Sequence, residues 1–429
     1  MNQAPPPFGR TVPGNDWSVL DGIRPDPGPV ISVVVVHFEQ HDDLARTLAA
    51  LAAQSHPAER TEIVVVDDGS AVAPVVADGV RLIVQEDLGF RASAARNAGA
   101  AAATGDVLCF LDADTSPEPG YLAAMARLPA LAPETVTVGR RRHADLSGDG
   151  EILPEPAWLA DAYAASRNLL DSDERSYRYV IGAVLACSRW FFDEVGGFDE
   201  SFTSYGGEDW EWAHRAWIAG AVFAHVPDAV AWHNGPDAAI REFGDPEAAR
   251  QKKNRETVAL VHRIAVPGAT GHGVVAAQPD VVARVPSGEP AAVYQCVDTI
   301  LRALPTARVV VDPSLATLFT HDSRVSSVVP ERGYRTLVTV SRLFSVRADD
   351  MARFAETLST SSTQVGRGTL GSASLAGDGV EILVESSRLI RRLERWGKHD
   401  GWTRTGQDFP LHAISADHTL AGYLGGWAE

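Results

Sequence analysis

The sequence predicts an α/β protein in which a mostly parallel central sheet is followed by a smaller α/β domain. Three observations carry that expectation. Runs of β-branched residues alternate with segments of helical period. Polar clusters close three of those runs, at 37–39, 67–70 and 112–114. The chain has 429 residues, 45% of them hydrophobic, which is enough for two domains with cores of their own.

Residues 1–29 carry seven prolines and no periodicity, so they read as an N-terminal arm. Order begins at 31–36, ISVVVV, the pattern of a strand buried on both faces. Leu44, Leu48 and Leu51 follow at helical spacing, with Asp42 and Asp43 in the first turn, where the helix dipole favours them. A second buried strand, 63–66, leads into Asp67-Asp68-Gly69-Ser70. A short strand at 80–84 precedes a small-residue helix at 92–103, which Gly105 stops. A fourth strand, 107–111, ends in Asp112-Ala113-Asp114. This order predicts parallel pairing with right-handed crossovers, and ligands in such sheets gather at the carboxyl ends of the strands. Beyond 135 the pattern changes. Strands at 135–138 and 180–187 flank an acidic stretch, and a section rich in Trp and Gly runs to Trp217.

Residues 236–270 read as charged helix, which sets the first domain at 30–270 and the second at 271–429. The second domain echoes the first. It has a strand at 281–285, a helix carrying Val293, Val297 and Leu304, and a strand at 309–311 ending in Asp312. Ala376-Gly377-Asp378 followed by 380–385 echoes Thr104-Gly105-Asp106 followed by 107–112, without the two aspartates at its end. The second domain is therefore read as a degenerate half-repeat without a metal site. Arg392-Leu393-Glu394-Arg395-Trp396 reads as a solvated helix end.

Charge and composition exclude several roles. There are 38 Lys and Arg against 56 Asp and Glu, a formal −18, and such a surface repels phosphate backbones. Nucleic acid is not an expected partner. No stretch approaches the roughly 20 apolar residues of a spanning helix, and the first residues lack the apolar core of a signal peptide. Cys109, Cys187 and Cys296 are few, odd in number and far apart, which favours a reducing compartment and gives no zinc pattern. The expectation is a cytoplasmic protein with no integral membrane segment.

The chemistry begins at Asp112 and Asp114. Two carboxylates at i and i+2, leaving a buried strand, can converge on one hard cation that bridges nucleotide phosphates. Acidic pairs also end strands as plain solvated turns, so the pair alone decides little. Asp67-Asp68-Gly69-Ser70 ends the neighbouring strand, either as a turn or as a carboxylate for base or ribose. Arg91 and Arg96 can offset the negative charge of the cleft, or form surface ion pairs of little worth. Gly206-Gly207 permits a tight turn that presents Glu208 and Asp209 at a helix start, where plain capping is the competing account. Trp210, Trp212 and Trp217 can wall a sugar ring or simply pack the core. His233, after a strand-like segment, is either a hydrogen-bonded core residue or, as the resemblance given next implies, a metal ligand, with His225 as the fallback. A carboxylate, an imidazole and diphosphate oxygens suit Mn²⁺ better than Mg²⁺.

Taken together, VVVVHFEQ, VVVDDGS, GFRASAARNAGAAAATGD and LDAD resemble the nucleotide-sugar domain of family 2 glycosyltransferases with the GT-A fold. The likeness continues through IGAVLACSRWFFDEVGGFDESFTSYGGEDWEWAHRAW to AWHN and covers residues 30–240. It implies a metal-dependent, inverting transfer of a hexosyl or N-acetylhexosaminyl group from a nucleoside diphosphate sugar, with UDP as the default, to an acceptor hydroxyl. By likeness, His37, Phe38, Glu39, Asp68 and Arg91 contact the nucleotide, with Ala113 and Gly182 also in the donor site. Asp112 faces ribose or the metal, Asp114 and His233 hold it, and Asp209 beside Glu208 is the catalytic pair. The family often has Tyr or Asn in the first loop, where this chain has His37, Phe38 and Glu39. The acceptor is not named by the sequence. The C-terminal domain is expected to support acceptor binding or a homo-oligomer. A non-catalytic scaffold or regulatory subunit of the same fold is the competing account. A nucleotidyltransferase ranks below both, because the loop after the first strand lacks Gly and Lys.

Overall fold

The structure is a computed structural model that describes residues 5–204, 206–236, 246–271, 274–330, 333–360, 372–397, 404–415 and 419–427. The chain folds as two compact units, Met1–Leu260 and Val261–Glu429.

The first unit opens with β1 (Ile31–His37), α1 (His41–Ala52), β2 (Thr61–Asp67), β3 (Val80–Val84), α2 (Ala92–Ala102) and β4 (Val107–Asp112). The four strands pair in parallel in the order β3-β2-β1-β4. In β1, Val33, Val34 and Val35 expose nothing, which is why the strand reads as an unbroken apolar run. The small residues of α2 let it lie close on this sheet. A Cβ on Gly99 would stand 2.3 Å from Val34 Cγ1 and 3.1 Å from Val66 Cγ2.

The chain continues through β5 (Thr115–Pro117), α3 (Tyr121–Leu131), β6 (Thr135–Ala144), β7 (Ile152–Leu153), α4 (Ala157–Ala165), β8 (Val184–Ser188), α5 (Arg189–Val195), α6 (Glu208–Ile218) and β9 (Val222–Asn234). Beyond β4 the sheet runs β8-β6-β9-β5, with β7 on β6. β8 is antiparallel to β4 and β6, β9 is parallel to β6, and β5 is antiparallel to β9. The expected parallel sheet is thus the first half of a mixed one. Its shape follows from chain length. Only two residues lie between β4 and β5, yet β5 is four strands away along the sheet. Four flat steps would cover about 19 Å, while the link reaches only about 10 Å. The sheet must therefore curl until its last strand returns over the end of β4. A bulge at Gly139/Arg140, where the partner in β9 jumps from Val226 to Val230, supplies a local bend.

The N-terminal arm packs against this unit. Val12 and Leu20 are buried with Leu128, Ala132, Val222 and Ala224. Asn15 donates to the carbonyls of Leu169 (2.7 Å) and Phe223 (3.0 Å) and accepts from the Phe223 N–H (2.8 Å).

The second unit holds β10 (Val281–Arg284), β11 (Arg308–Val310), β12 (Val325–Ser326), β13 (Thr336–Val340), β14 (Phe344–Ser345), β15 (Ser372–Gly377), β16 (Val380–Ser386), β17 (Arg404–Asp408) and β18 (His412–Ala413). Its main sheet runs β12-β11-β10-β13-β16-β15-β17, while β14 and β18 pair separately. The first four strands are parallel and β16 is antiparallel to β13. This is the order and direction of β3-β2-β1-β4-β8. The expected alignment of the echo is corrected, however. The counterpart of β4 is β13, whereas 380–385 belongs to β16, in the place of β8. β13 leads into Ser341-Arg342, with no carboxylate where β4 leads through Asp112 to Asp114. A second correction concerns the helix Ser387–Trp396, whose Arg388, Arg392 and Arg395 are buried and not solvated.

Among the described residues no helix is long and apolar enough to cross a membrane. The three cysteines are buried and free, and burial pushes the Cys109 and Cys296 thiols up to about 12.

If the arm is a structural part of the first unit, Asn15→Ala strips three buried backbone groups of their partner. The expected cost is about 1–3 kcal/mol, read as a lower urea midpoint. An unchanged midpoint would show that the arm is dispensable.

Candidate active site

β1 and β2 end side by side, with His37 opposite Asp67. Both side chains are fully buried, and His37 Nδ1 meets Asp67 Oδ1 at 2.7 Å. Ser70 Oγ donates to the same oxygen at 2.6 Å. The expectation that the His37 side chain touches a nucleotide is therefore corrected. A carboxylate buried at a strand end needs a partner, and His37 is that partner. Its neighbours form the surface. Phe38 is 47% exposed, and Glu39 turns the chain at φ 58° and accepts from the Ala71 N–H at 2.6 Å. Asp68 accepts from Gln85 Nε2 (2.8 Å) and the Arg91 N–H (2.9 Å), which fixes the loop 85–91. Burial holds the Asp68 carboxyl above its usual range despite these bonds.

Between the two aspartates of the acidic turn, Ala113 is wholly buried. Its N–H donates to the Val36 carbonyl (2.9 Å) and its carbonyl accepts from Thr47 Oγ1 (2.8 Å). With the middle residue pinned, the flanking carboxylates take different partners. Asp112 Oδ1 accepts from Arg96 Nη2 at 3.1 Å. Asp114 Oδ2 accepts from Gln40 Nε2 at 3.1 Å and faces His233 Nε2 at 3.3 Å. The curl of the sheet makes the second meeting, because Thr115 of β5 lies opposite His233 of β9. His233 Nδ1 lies 3.1 Å from the Gly235 carbonyl, which can only accept, so Nδ1 carries a proton and Nε2 is the atom turned to Asp114. Two ligand atoms on one divalent ion at right angles stand about 3 Å apart, so this pair fits a metal. Burial pushes the Asp114 carboxyl up, but the hydrogen bond and charge of His233 outweigh it and hold it below its usual range. Among the described residues no group of three or more His, Cys, Asp or Glu side chains forms a cage.

Gly206 and Gly207 take φ of 101° and 99° and turn the chain into α6. The next two acids diverge. Glu208 is buried and its Oε1 accepts from Arg96 Nη1 at 3.0 Å. Asp209 Oδ2 accepts from the Gly182 N–H (3.1 Å) and Oδ1 from the Trp210 N–H (2.8 Å). Burial first, then the charge of Glu208, push the Asp209 carboxyl up to about 7. A Cβ at Gly182 would stand 3.1–3.3 Å from the Arg96 guanidinium, close enough that the arginine would have to shift by a few tenths of an ångström.

The expected tryptophan wall shrinks to one residue. Trp212 and Trp217 lie in the core, while Trp210 is partly exposed, with Lys253 Nζ 4.9 Å from its ring centre. His225 stacks on Tyr163 at 3.7 Å and burial lowers it to about 4, so the fallback ligand is a packed core histidine. Gln40, on Asp114, and His143, whose ring centre is 4.9 Å from that of His233, were not expected at the site. Their contacts span 74 and 90 positions, and no local pattern announces them.

The chain is similar to several known proteins. The sequence model of Glycosyl transferase family 2 matches residues 32–187, and that of the N-terminal domain of galactosyltransferase matches 171–231. Hyaluronan synthase of Pasteurella multocida is 27% identical over 67% of this chain and 32% of its own length. Validoxylamine A glucosyltransferase of Streptomyces hygroscopicus subsp. limoneus is 33% identical over 45% of this chain and 50% of its own. The chain thus spans a third to a half of the length of these curated relatives. The crystal structure of GalNAc-T7 with UDP, GalNAc and Mn²⁺ overlays loosely, with a TM-score of 0.37 and 21% identity over 49% of this chain and 44% of that one. The match to Glycosyl transferase family 2 thus falls on the first unit, whose curled mixed sheet is GT-A-like.

Proposed function

We propose that the protein transfers a hexosyl or N-acetylhexosaminyl group from a nucleoside diphosphate sugar, with UDP as nucleotide, to an acceptor hydroxyl, with inversion at the anomeric carbon. One observation carries this reading: the curl of the sheet brings His233 Nε2 to 3.3 Å from Asp114 Oδ2, at the end of the strand whose Asp112 is wired to the helix of Asp209. The match to family 2 and relatives named as polysaccharide synthases and a glucosyltransferase support the same class of reaction.

Asp114 and His233 would hold the divalent cation, Mn²⁺ by preference for the mixed N and O donors. When bound, the ion supplies charge neutralisation to the departing diphosphate. The remaining steps belong to the chain. Asp209 accepts the acceptor hydroxyl proton as that oxygen attacks the face opposite the leaving group. The N–H groups of Gly182 and Trp210 orient its carboxylate. The loop of Phe38 and Glu39 offers the exposed surface beside the acidic turn for the nucleotide. The buried free thiols suit a reducing, cytoplasmic setting.

Asp209→Asn is expected to lower kcat by about 10²–10⁴ while calorimetry finds donor binding retained; near wild-type turnover would remove Asp209 from the mechanism. His233→Ala and Asp114→Ala are each expected to abolish the Mn²⁺ dependence of UDP affinity. Equal affinity with and without Mn²⁺ in the wild type would argue for the scaffold reading. The pH dependence has a definite sign. Asp209 must be ionised to accept a proton, and it titrates at about 7. Hence kcat/KM should fall about tenfold per unit below pH 7 and level off above it. A profile flat from pH 5 to 8 would contradict the assignment.

A further inference from the structure

Arg96 is 4% exposed, and its guanidinium touches four separate stretches of chain. Nη2 donates to Asp112 Oδ1 (3.1 Å) and Nη1 to Glu208 Oε1 (3.0 Å). One side lies against Gly182, whose N–H holds Asp209. Phe198 also packs on it, its ring centre 5.4 Å from Cζ. Asn97, the next residue of α2, fixes Phe198 by accepting from its N–H (2.8 Å) and donating to its carbonyl (2.9 Å). One turn of α2 therefore joins the acidic turn, the Gly182 loop and the head of α6.

We propose that Arg96 is a positioning residue for glycosyl transfer, acting through Glu208 and Gly182 to keep Asp209 oriented and able to take the acceptor proton, and tying that state to Asp112 on the donor side. This rests on the reading of Asp209 as the base. Two further observations support it. Three carboxylates, Asp112, Glu208 and Asp209, act on this one guanidinium, and all three strengthen its hold on its proton. Glu208 also keeps its second oxygen, Oε2, buried with no hydrogen-bond partner among the described residues. A bare buried carboxylate oxygen is costly, and a group kept under that cost calls for an explanation beyond packing. Holding Arg96 is such an explanation.

The charged and titratable groups around Asp209 are Glu208 on its own helix, Arg96 from α2 and Tyr163 from α4, with Arg141 of β6 near Tyr163 and Lys253 over Trp210. Glu208 raises the proton affinity of Asp209 and Arg96 lowers it. Their removal must then move Asp209 in opposite senses. A strut that only held the fold would not do so.

The test uses the full chain with Arg96→Met, Arg96→Lys and Glu208→Gln. The Asp209 carboxyl is titrated by difference infrared spectroscopy against Asp209→Asn, and the pH profile of kcat/KM is taken with UDP-sugar and Mn²⁺. Arg96→Met should raise the titration and the acid limb by roughly one unit or more and lower kcat with little change in donor KM. Arg96→Lys should bring both back toward the wild type, and Glu208→Gln should shift both downward. If Arg96→Met does not fold, the other two variants decide. An unmoved Asp209 titration in the folded variants, or shifts of the same sign for Arg96→Met and Glu208→Gln, would overturn the proposal. A wild type that transfers no sugar sinks the enzymatic reading instead, since the infrared titration needs no turnover.

Discussion

Two residues separate β4 from β5, and that shortness governs the first unit. The sheet cannot place β5 beyond β9 and still connect it to β4 unless it curls over the end of the parallel strands. The curl brings the last strand of the sheet back over the ends of the parallel strands. It also explains why the acidic turn and the late histidine meet. Asp114 leads into the strand that His233 faces across one ladder, so backbone pairing and not side-chain reach sets their distance. A pair fixed by sheet register is stiff, as the proposed metal site needs.

The charge of the cleft is managed from inside. The chain is strongly acidic overall, and the site concentrates further carboxylates where solvation is poor. Arg96 is the compensating charge, reached from a helix whose small residues let its backbone lie close on the sheet. The choice of Arg over Lys follows from geometry, since a planar fork can serve Asp112 and Glu208 at once while its face lies against Gly182. The acids that look alike in the sequence thereby acquire different tasks. Glu208 anchors, Asp209 stays poised near neutrality, Asp114 is held ionised, and Asp67 is silent beneath the floor.

The second unit shows the same path of chain without that chemistry. Its strands repeat the order and directions of β3-β2-β1-β4-β8, yet β13 leads into Ser341 and Arg342 where β4 ends in the acidic turn. Strand order is fixed by apolar runs and crossover handedness, which many sequences satisfy. A site depends on a few residues at strand ends, which can change without disturbing the sheet.

The sequence by itself determined the parts that are local. The apolar runs at 31–36, 63–66 and 107–111 fixed three adjacent strands, because a strand buried on both faces must be apolar at every position. The glycine pair before Glu208 and the two-aspartate turn were legible for the same reason, since backbone turns and strand ends are short-range. Exposure and partnership were not. His37 looked like a loop residue at a cleft and is the buried partner of Asp67. For Trp212 and Trp217 the sequence left a sugar wall and core packing both open, and they fill the core. Arg392 and Arg395 looked solvated and are buried. Each depends on which distant segment arrives beside it, and that is decided by how the sheet closes. Tertiary structure alone could bring Gln40, Arg96, Asp114, Gly182 and His233 together, because their contacts are made across strands and helices whose separation in sequence carries no periodic trace.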